Sequence, residues 1–326
     1  MYNSLREIAD SFDLFLFDAY GVFWEGSRFY TGSLETMREL MRAGKTVMVI
    51  SNSTQMSENM VQSYAKRGMF PERDYNFLLT SGEVLREHLS AGDISFETCR
   101  NPLKYYVIGQ PHGKAFANTK YQQVVNMEEA DFIYCGVPFL YAEDVAKYAK
   151  YKDMFLPVIN RETEGRSVWD TMTAVPFVET VDKAVALGLP ALNANPDFTA
   201  KEGHPLVPDL ESVFVVRNGT LAEMFRQRGA EVLEYGKPHA NIYDYAFKLL
   251  KKHNIAVDKK RTCMVGDTVR TDVKGGINAG IAAVLCVDTG VTAEAISQGK
   301  TVKSLCMNEN IDVQRVIQIK SVGGAI

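Results

Sequence analysis

The sequence predicts an α/β protein: a doubly wound parallel sheet that carries a second, inserted α/β unit. Three observations lead there. The chain has 326 residues, more than one hydrophobic core usually serves, so two domains are expected. From Leu14 to Gly68, strand-length apolar runs alternate with amphipathic helical stretches, as in a sheet wound with helices. The alternation returns toward the C-terminal end, after a middle stretch with short strands of its own. The expected division is a core of residues 1–82 and 190–326, with 83–189 inserted as an α/β cap.

Each element has a local reason. Leu14 to Phe17 is apolar throughout, too short for a helix, and runs at once into Asp18 and Gly21. In the stretch that follows, Leu34, Met37, Leu40 and Met41 share one helical face, with Ser33 placed to cap the start and Gly44 to end it. Thr46 to Ile50 is nearly all apolar, as a parallel strand covered on both sides requires. A second helix through Met60 to Arg67 closes at Gly68. In the middle, Tyr105–Ile108, Phe132–Cys135 and Phe155–Ile159 read as strands separated by helical stretches, and no internal repeat is visible. Beyond Pro190, Ser212–Val216 reads as a strand and Leu221–Arg228 as a helix, both assigned to the core. Ala240–His253 is an amphipathic helix with Ile242, Tyr245, Ala246 and Leu249 on its apolar side. Thr262–Val265 and Ile281–Val287 are strands, ending at Gly266-Asp267 and at Asp288 and Gly290.

Composition narrows the function. Apolar residues make up 46% and charged residues 23%, ordinary values for a globular protein. The net charge of -4 leaves no basic excess to neutralise a nucleic-acid polymer, so a small partner is expected. No apolar run is long enough to cross a bilayer and the N-terminal stretch has no signal core, so a cytoplasmic location is expected. Cys99, Cys135, Cys263, Cys286 and Cys306 form no CxxC pair and read as free, packed thiols. The glycosylation-type matches at Asn52 and Asn218 carry no meaning in that setting.

Three strands end in polar residues: Asp18, Ser51-Asn52 and Asp267. Ligands of an open parallel sheet sit at the carboxyl ends of its strands, so these distant segments can converge on one crevice. Any one of them alone is ordinarily a turn residue or a helix cap. Lys237, in Gly236-Lys237-Pro238, would be a solvated charge by itself; beside two carboxylates it would balance the charge of a bound anion. Asp272 adds a further carboxylate next to Asp267.

This ordered set resembles the haloacid dehalogenase superfamily, on FLFDAYGVF, VMVISNS, YGKPHANIY and MVGDTVRTD. The strings SNST, NPD at Asn195 to Asp197 and GKP, with the size and place of the insertion, look like its NagD and para-nitrophenylphosphatase branch (subfamily IIA). The resemblance covers nearly the whole chain. It implies a magnesium-dependent hydrolase that acts on a small phosphorylated metabolite through an aspartyl-phosphate at Asp18. It further implies catalytic positions at Asp18, Tyr20, Ser51, Lys237 and Asp272, and substrate-binding positions at Ser51, Asn52, Gly21 and Lys237. The metal ligands it implies are Asp18, Asp267 and the backbone carbonyl of Tyr20, and a homodimer is common among similar proteins.

Tyr20 departs from the pattern, because phosphatases of the superfamily normally carry an acid–base Asp there. A phenol of pKa about 10 is a poor base at neutral pH, and loss of a general acid–base slows a reaction roughly 10²–10⁴-fold. Three functions are therefore weighed: a phosphatase, a phosphate-ligand binding protein with lost catalysis, and a dehalogenase, since Asp18-Ala19-Tyr20-Gly21 also looks like a true dehalogenase site. Intact acidic residues favour a phosphorylated ligand, because carboxylates without a cation would only repel an anionic substrate. Trp24 and Glu25 are pocket or core residues on sequence alone. His112 and His239 lack a second ligand at metal spacing. Trp169-Asp170 and the run Arg161–Arg166 belong to the insertion, facing the site or solvent.

Overall fold

Leu14–Phe17 and Thr262–Gly266 are buried throughout, and Thr46–Ser51 and Ala282–Cys286 at every position but the first. Strands apolar on both faces must be covered by helices on both faces, which dictates a parallel sheet. The computed structural model of the chain, describing residues 1–26, 28–110, 114–163, 166–202 and 213–324, has that sheet. Seven parallel strands run in the order Tyr2–Ser4, Val316–Ser321, Ala282–Cys286, Thr262–Gly266, Leu14–Phe17, Thr46–Ser51, Phe77–Thr80. Phe15, Phe17, Val47, Val49, Cys263 and Val265 face one core, which also takes Met37 and Leu40 from the helix Ser33–Arg42. Ala283 and Leu285 face another, with Val269 and Val273.

The chain divides into two units: residues 1–52, 56–84 and 236–326, and residues 85–235 with 53–55. The first break lies close to the expected one. The second lies at 235, not 189, and corrects the expected core. Ala191–Asn193 pairs in parallel with Phe132–Cys135 on one side and Val232–Glu234 on the other, inside a five-stranded sheet of the second unit. Val213–Val216 pairs antiparallel with Thr199–Glu202 rather than joining the large sheet. The helix Asn218–Gln227 buries Leu221, Ala222 and Phe225 against Ile133 and Ala191 of that second unit. Strands of three residues carry too little pattern to announce which sheet they join.

Other differences are local. Phe155–Thr163 forms a hairpin with Arg166–Thr171 rather than a strand of the five-stranded sheet. Ser33 does not cap its helix. The cap is Gly32 with φ +71°, and the buried Ser33 hydroxyl donates to the carbonyls of Phe23 and Tyr30. The helix Ala240–Lys252 buries Ile242, Tyr243, Ala246 and Leu250, so Tyr243 and Leu250 take the places expected of Tyr245 and Leu249. All five cysteines are free, four of them buried. Among the described residues no helix is long and apolar enough to cross a membrane. His112, Ser212 and Glu164-Gly165 lie outside the described residues.

Candidate active site

The strand order reverses beside Leu14–Phe17: the chain moves one way to Thr46–Ser51 and the other way from Thr262–Gly266. Parallel sheets open a crevice at such a switch point, at the carboxyl ends of the two central strands. Asp18 and Asp267 sit at those two ends. Phe17 lies in register with Val265, and the Asp18 N–H donates to the Val265 carbonyl at 2.9 Å, so the pairing itself brings the two aspartates side by side.

Lys237 comes from a distant segment and is only 1% exposed. Its Nζ donates to Asp18 Oδ1 at 2.6 Å and to Asp272 Oδ1 at 2.8 Å. Burying an ammonium is costly unless it is paired and hydrogen-bonded, and here two carboxylates meet it. Its backbone is fixed as well. The Lys237 N–H donates to Asn52 Oδ1 at 2.7 Å, and Asn52 Nδ2 donates to the Lys237 carbonyl at 3.1 Å.

Asp272 lies in the π-helical turn Val269–Val273 and is also buried. Its Oδ2 accepts from the N–H groups of Asp267 (3.2 Å) and Thr268 (3.0 Å). It therefore orients Lys237 with one oxygen and caps a turn with the other. Asp267 accepts from the Thr268 hydroxyl at 3.1 Å and the Val291 N–H at 2.6 Å, while its carbonyl takes the Thr292 hydroxyl. Burial pushes the Asp267 carboxyl well above the usual carboxylate range, and the charges of Asp272 and Asp18 push it further. Asp18, Asp267 and Asp272 each offer one oxygen within 4.8 Å of the others. An all-oxygen set of crowded carboxylates, two of them buried, suits a hard divalent cation, which would offset their mutual repulsion.

The remaining expected positions fall as follows. Ser51 ends its strand, buried and in register with Thr80. Asn52, expected on the substrate, clamps Lys237 with its side-chain amide. Gly21, also expected on the substrate, donates its N–H to the Trp24 carbonyl at 2.8 Å. A Cβ on Gly21, whose φ is +77°, would lie 2.1 Å from Asp267 Oδ2, so a glycine is needed there for close approach. The Tyr20 ring leans on the core beside Phe23 and Trp24, and Trp24 is a core residue. His239 starts the helix Ala240–Lys252. Asp170 forms a buried ion pair with Arg217 at 2.7 Å within the second unit.

Sequence reasoning missed the loop after Ala282–Cys286. Gly290 is a tight neighbour of Asp267, since a Cβ there would lie 1.8 Å from Oδ2, and Val291 and Thr292 hold that aspartate. The only signal was Gly290 at a strand end. Tyr30 was missed too: burial, with Asp267 nearby, pushes its phenol up to about 12.

Known proteins resemble this chain along most of its length. Residues 15–120 match the haloacid dehalogenase-like hydrolase family, and residues 234–305 match a HAD-hydrolase-like family. Phosphoglycolate phosphatase 2 of Arabidopsis thaliana is 25% identical over 299 residues, covering 90% of this chain and 88% of that protein. The 4-nitrophenylphosphatase of Schizosaccharomyces pombe is 22% identical over 304 residues, covering 89% and 88%. A crystal structure of a haloacid dehalogenase-like hydrolase from Brucella suis superposes with a TM-score of 0.70 at 22% identity, covering 99% of this chain and all of that one. Two family matches, relatives matched over most of their length and a shared fold place the chain in the haloacid dehalogenase superfamily, in its NagD and 4-nitrophenylphosphatase-like branch (subfamily IIA).

Proposed function

We propose that the chain hydrolyses small organic phosphomonoesters, with Asp18 as the nucleophile and Mg2+ as the cofactor. The observation that carries this is the buried Lys237 ammonium held between Asp18 and Asp272, with Asp267 alongside, at the switch point of the sheet. One lysine against three carboxylates leaves the cluster negative, and it repels a phosphate until a cation joins it. Asp18 and Asp267 are the side chains that would hold Mg2+, which when bound supplies positive charge to the phosphoryl oxygens. The names of the whole-length relatives, a phosphoglycolate phosphatase and a 4-nitrophenylphosphatase, support the same chemistry.

In this reading an Asp18 oxygen attacks phosphorus as the bond from phosphorus to the leaving alcohol breaks. The alkoxide leaves and takes a proton from water. A second water then attacks the aspartyl-phosphate, releasing inorganic phosphate and restoring the Asp18 carboxylate. Lys237 offsets the charge of Asp18 and of the phosphoryl group, which is how an ordinary carboxylate becomes an effective nucleophile. Tyr20 offers a phenol where a carboxylic acid would protonate the leaving oxygen. Esters with acidic leaving groups, such as aryl phosphates, are accordingly the favoured substrates.

Turnover of 4-nitrophenyl phosphate with and without magnesium tests the proposal. It is expected to need magnesium and to vanish in Asp18→Asn; equal rates in chelator would remove the metal role. A second reading, a phosphate-binding protein that does not turn over, is favoured by Tyr20 alone. It would show stabilisation by magnesium and a phosphate ester with no product. Halide release, the third possibility, needs no cation and leaves the acidic cluster without a task.

A further inference from the structure

The helix Ala240–Lys252 begins just after Lys237 and turns Tyr243 inward, 1% exposed. The ring is core packing, which a phenylalanine would provide equally well. The hydroxyl is not accounted for that way: among the described residues it meets no hydrogen-bonding partner. Buried hydroxyls are costly in that state and are normally satisfied by protein or by ordered water. Facing it is Gly275, in the short helix Lys274–Asn278. A Cβ on Gly275 would lie 2.4 Å from the Tyr243 hydroxyl oxygen and 2.9 Å from Cε2. The hydroxyl thus fits because residue 275 has no side chain.

The two segments that enclose this phenol are the ones that carry the charged pair. Lys237 directly precedes the Tyr243 helix, and Asp272 directly precedes the Gly275 helix through the turn Val269–Val273. Burial drives the phenol far above its ordinary range, and the charges of Lys237, Asp272 and Asp18 all act on it. A buried water needs two to four polar partners, and the Tyr243 hydroxyl, the Asp272 carboxylate and the Lys237 ammonium would be three.

We propose that Tyr243 is a positioning residue: its hydroxyl hydrogen-bonds the Lys237–Asp272 pair through one ordered water and so fixes the lysine ammonium against Asp18. This rests on the phosphatase reading of the site, and it predicts a role in turnover more than in substrate affinity. Y243F keeps the ring and removes only the hydroxyl. It is compared with wild type for 4-nitrophenyl phosphate kinetics and, separately, for the rise in Tm on adding inorganic phosphate, with and without magnesium.

The expected result is a kcat lower by about tenfold, the size of one hydrogen bond to a charged group, with KM changed less than about twofold. The phosphate-induced rise in Tm is also expected to shrink, and the unliganded Tm to fall by no more than a few degrees, as the loss of one buried hydrogen bond requires. Wild-type kcat together with a wild-type phosphate response in Y243F overturns the inference. An inactive wild type counts against the phosphatase reading instead, and the phosphate response then decides Tyr243 by itself. Should Y243F melt far below wild type, G275A reads the same point, since it keeps the hydroxyl but displaces it; wild-type kcat in G275A overturns the inference.

Discussion

Asn52 grips the backbone of Lys237 at both its N–H (2.7 Å) and its carbonyl (3.1 Å), although the two residues are 185 positions apart. One side-chain amide thereby satisfies a buried donor and a buried acceptor, and it fixes the root of the side chain that binds Asp18 and Asp272. The amide group suits this task because it donates and accepts at once.

Asn52→Ala is expected to leave both Lys237 groups without that partner. Unmade buried hydrogen bonds cost about 1–3 kcal/mol each, so a loss of stability of that order should appear in denaturant titration. Activity should fall more than stability alone explains, with KM and kcat both affected as Lys237 drifts. Asn52→Asp keeps the acceptor and loses the donor, and should lie between the two. An alanine variant with wild-type kinetics would show that Lys237 is held by its ion pairs alone.

Lys237→Met removes the one ammonium from among Asp18, Asp267 and Asp272. Breaking a buried ion pair from one side costs about 3–5 kcal/mol. The variant should melt well below wild type and hydrolyse no ester. Magnesium should raise its Tm more than it raises that of the wild type, because a cation then meets carboxylates that have lost the Lys237 ammonium. An equal magnesium effect on both proteins would argue that the carboxylates do not share one site.

The residues legible in the sequence are those where one strand end fixes one side chain. Asp18 and Asp267 could be read because a short apolar run stops at each of them, and adjacent strands in register must then bring them together. Lys237 and Asp272 were legible from their order in the chain. The task of Asn52 was not, because a contact across 185 positions leaves no local trace. The Asp267 contacts of Gly290, Val291 and Thr292 were hidden for the same reason. Tyr243 escaped because a period of 3.6 fits several neighbouring sets of apolar residues, and the helix settles on the one that includes it. The break at 235 was hidden by strands only three residues long.

Tyr20→Asp tests what the missing carboxylate costs. An acid at this position would protonate a poor leaving group, so alkyl phosphates should gain far more than 4-nitrophenyl phosphate. General acid–base assistance is worth roughly 10²–10⁴-fold, and a gain approaching the lower end is expected for the alkyl ester. The aspartate adds a fourth carboxylate to the neighbourhood, so the magnesium requirement should sharpen. Equal change for both esters would place the limiting step elsewhere.

Asp74 gives the core a pH dependence that is separate from the site. Its side chain is fully buried, and it accepts from Arg38 Nε at 2.5 Å, from the Phe70 N–H at 2.7 Å and from Arg73 Nη2 at 2.7 Å. Burial alone would raise this carboxyl, but the bonds from Arg73, the Phe70 N–H and Arg38 outweigh it and hold the group below its ordinary value. With the folded pKa below the unfolded one, the unfolded chain binds more protons as the pH falls. The contribution of Asp74 is therefore complete above the unfolded carboxyl pKa of about 3.9 and is lost as the pH falls through the folded value. Asp74→Asn should cost about 1–3 kcal/mol at neutral pH, the range for buried hydrogen bonds left unmade. The gap between variant and wild type should then narrow as denaturant titrations are repeated at successively lower pH below about 4. A gap that stays constant down to acid would mean that the arginines hold Asp74 by geometry without lowering its pKa.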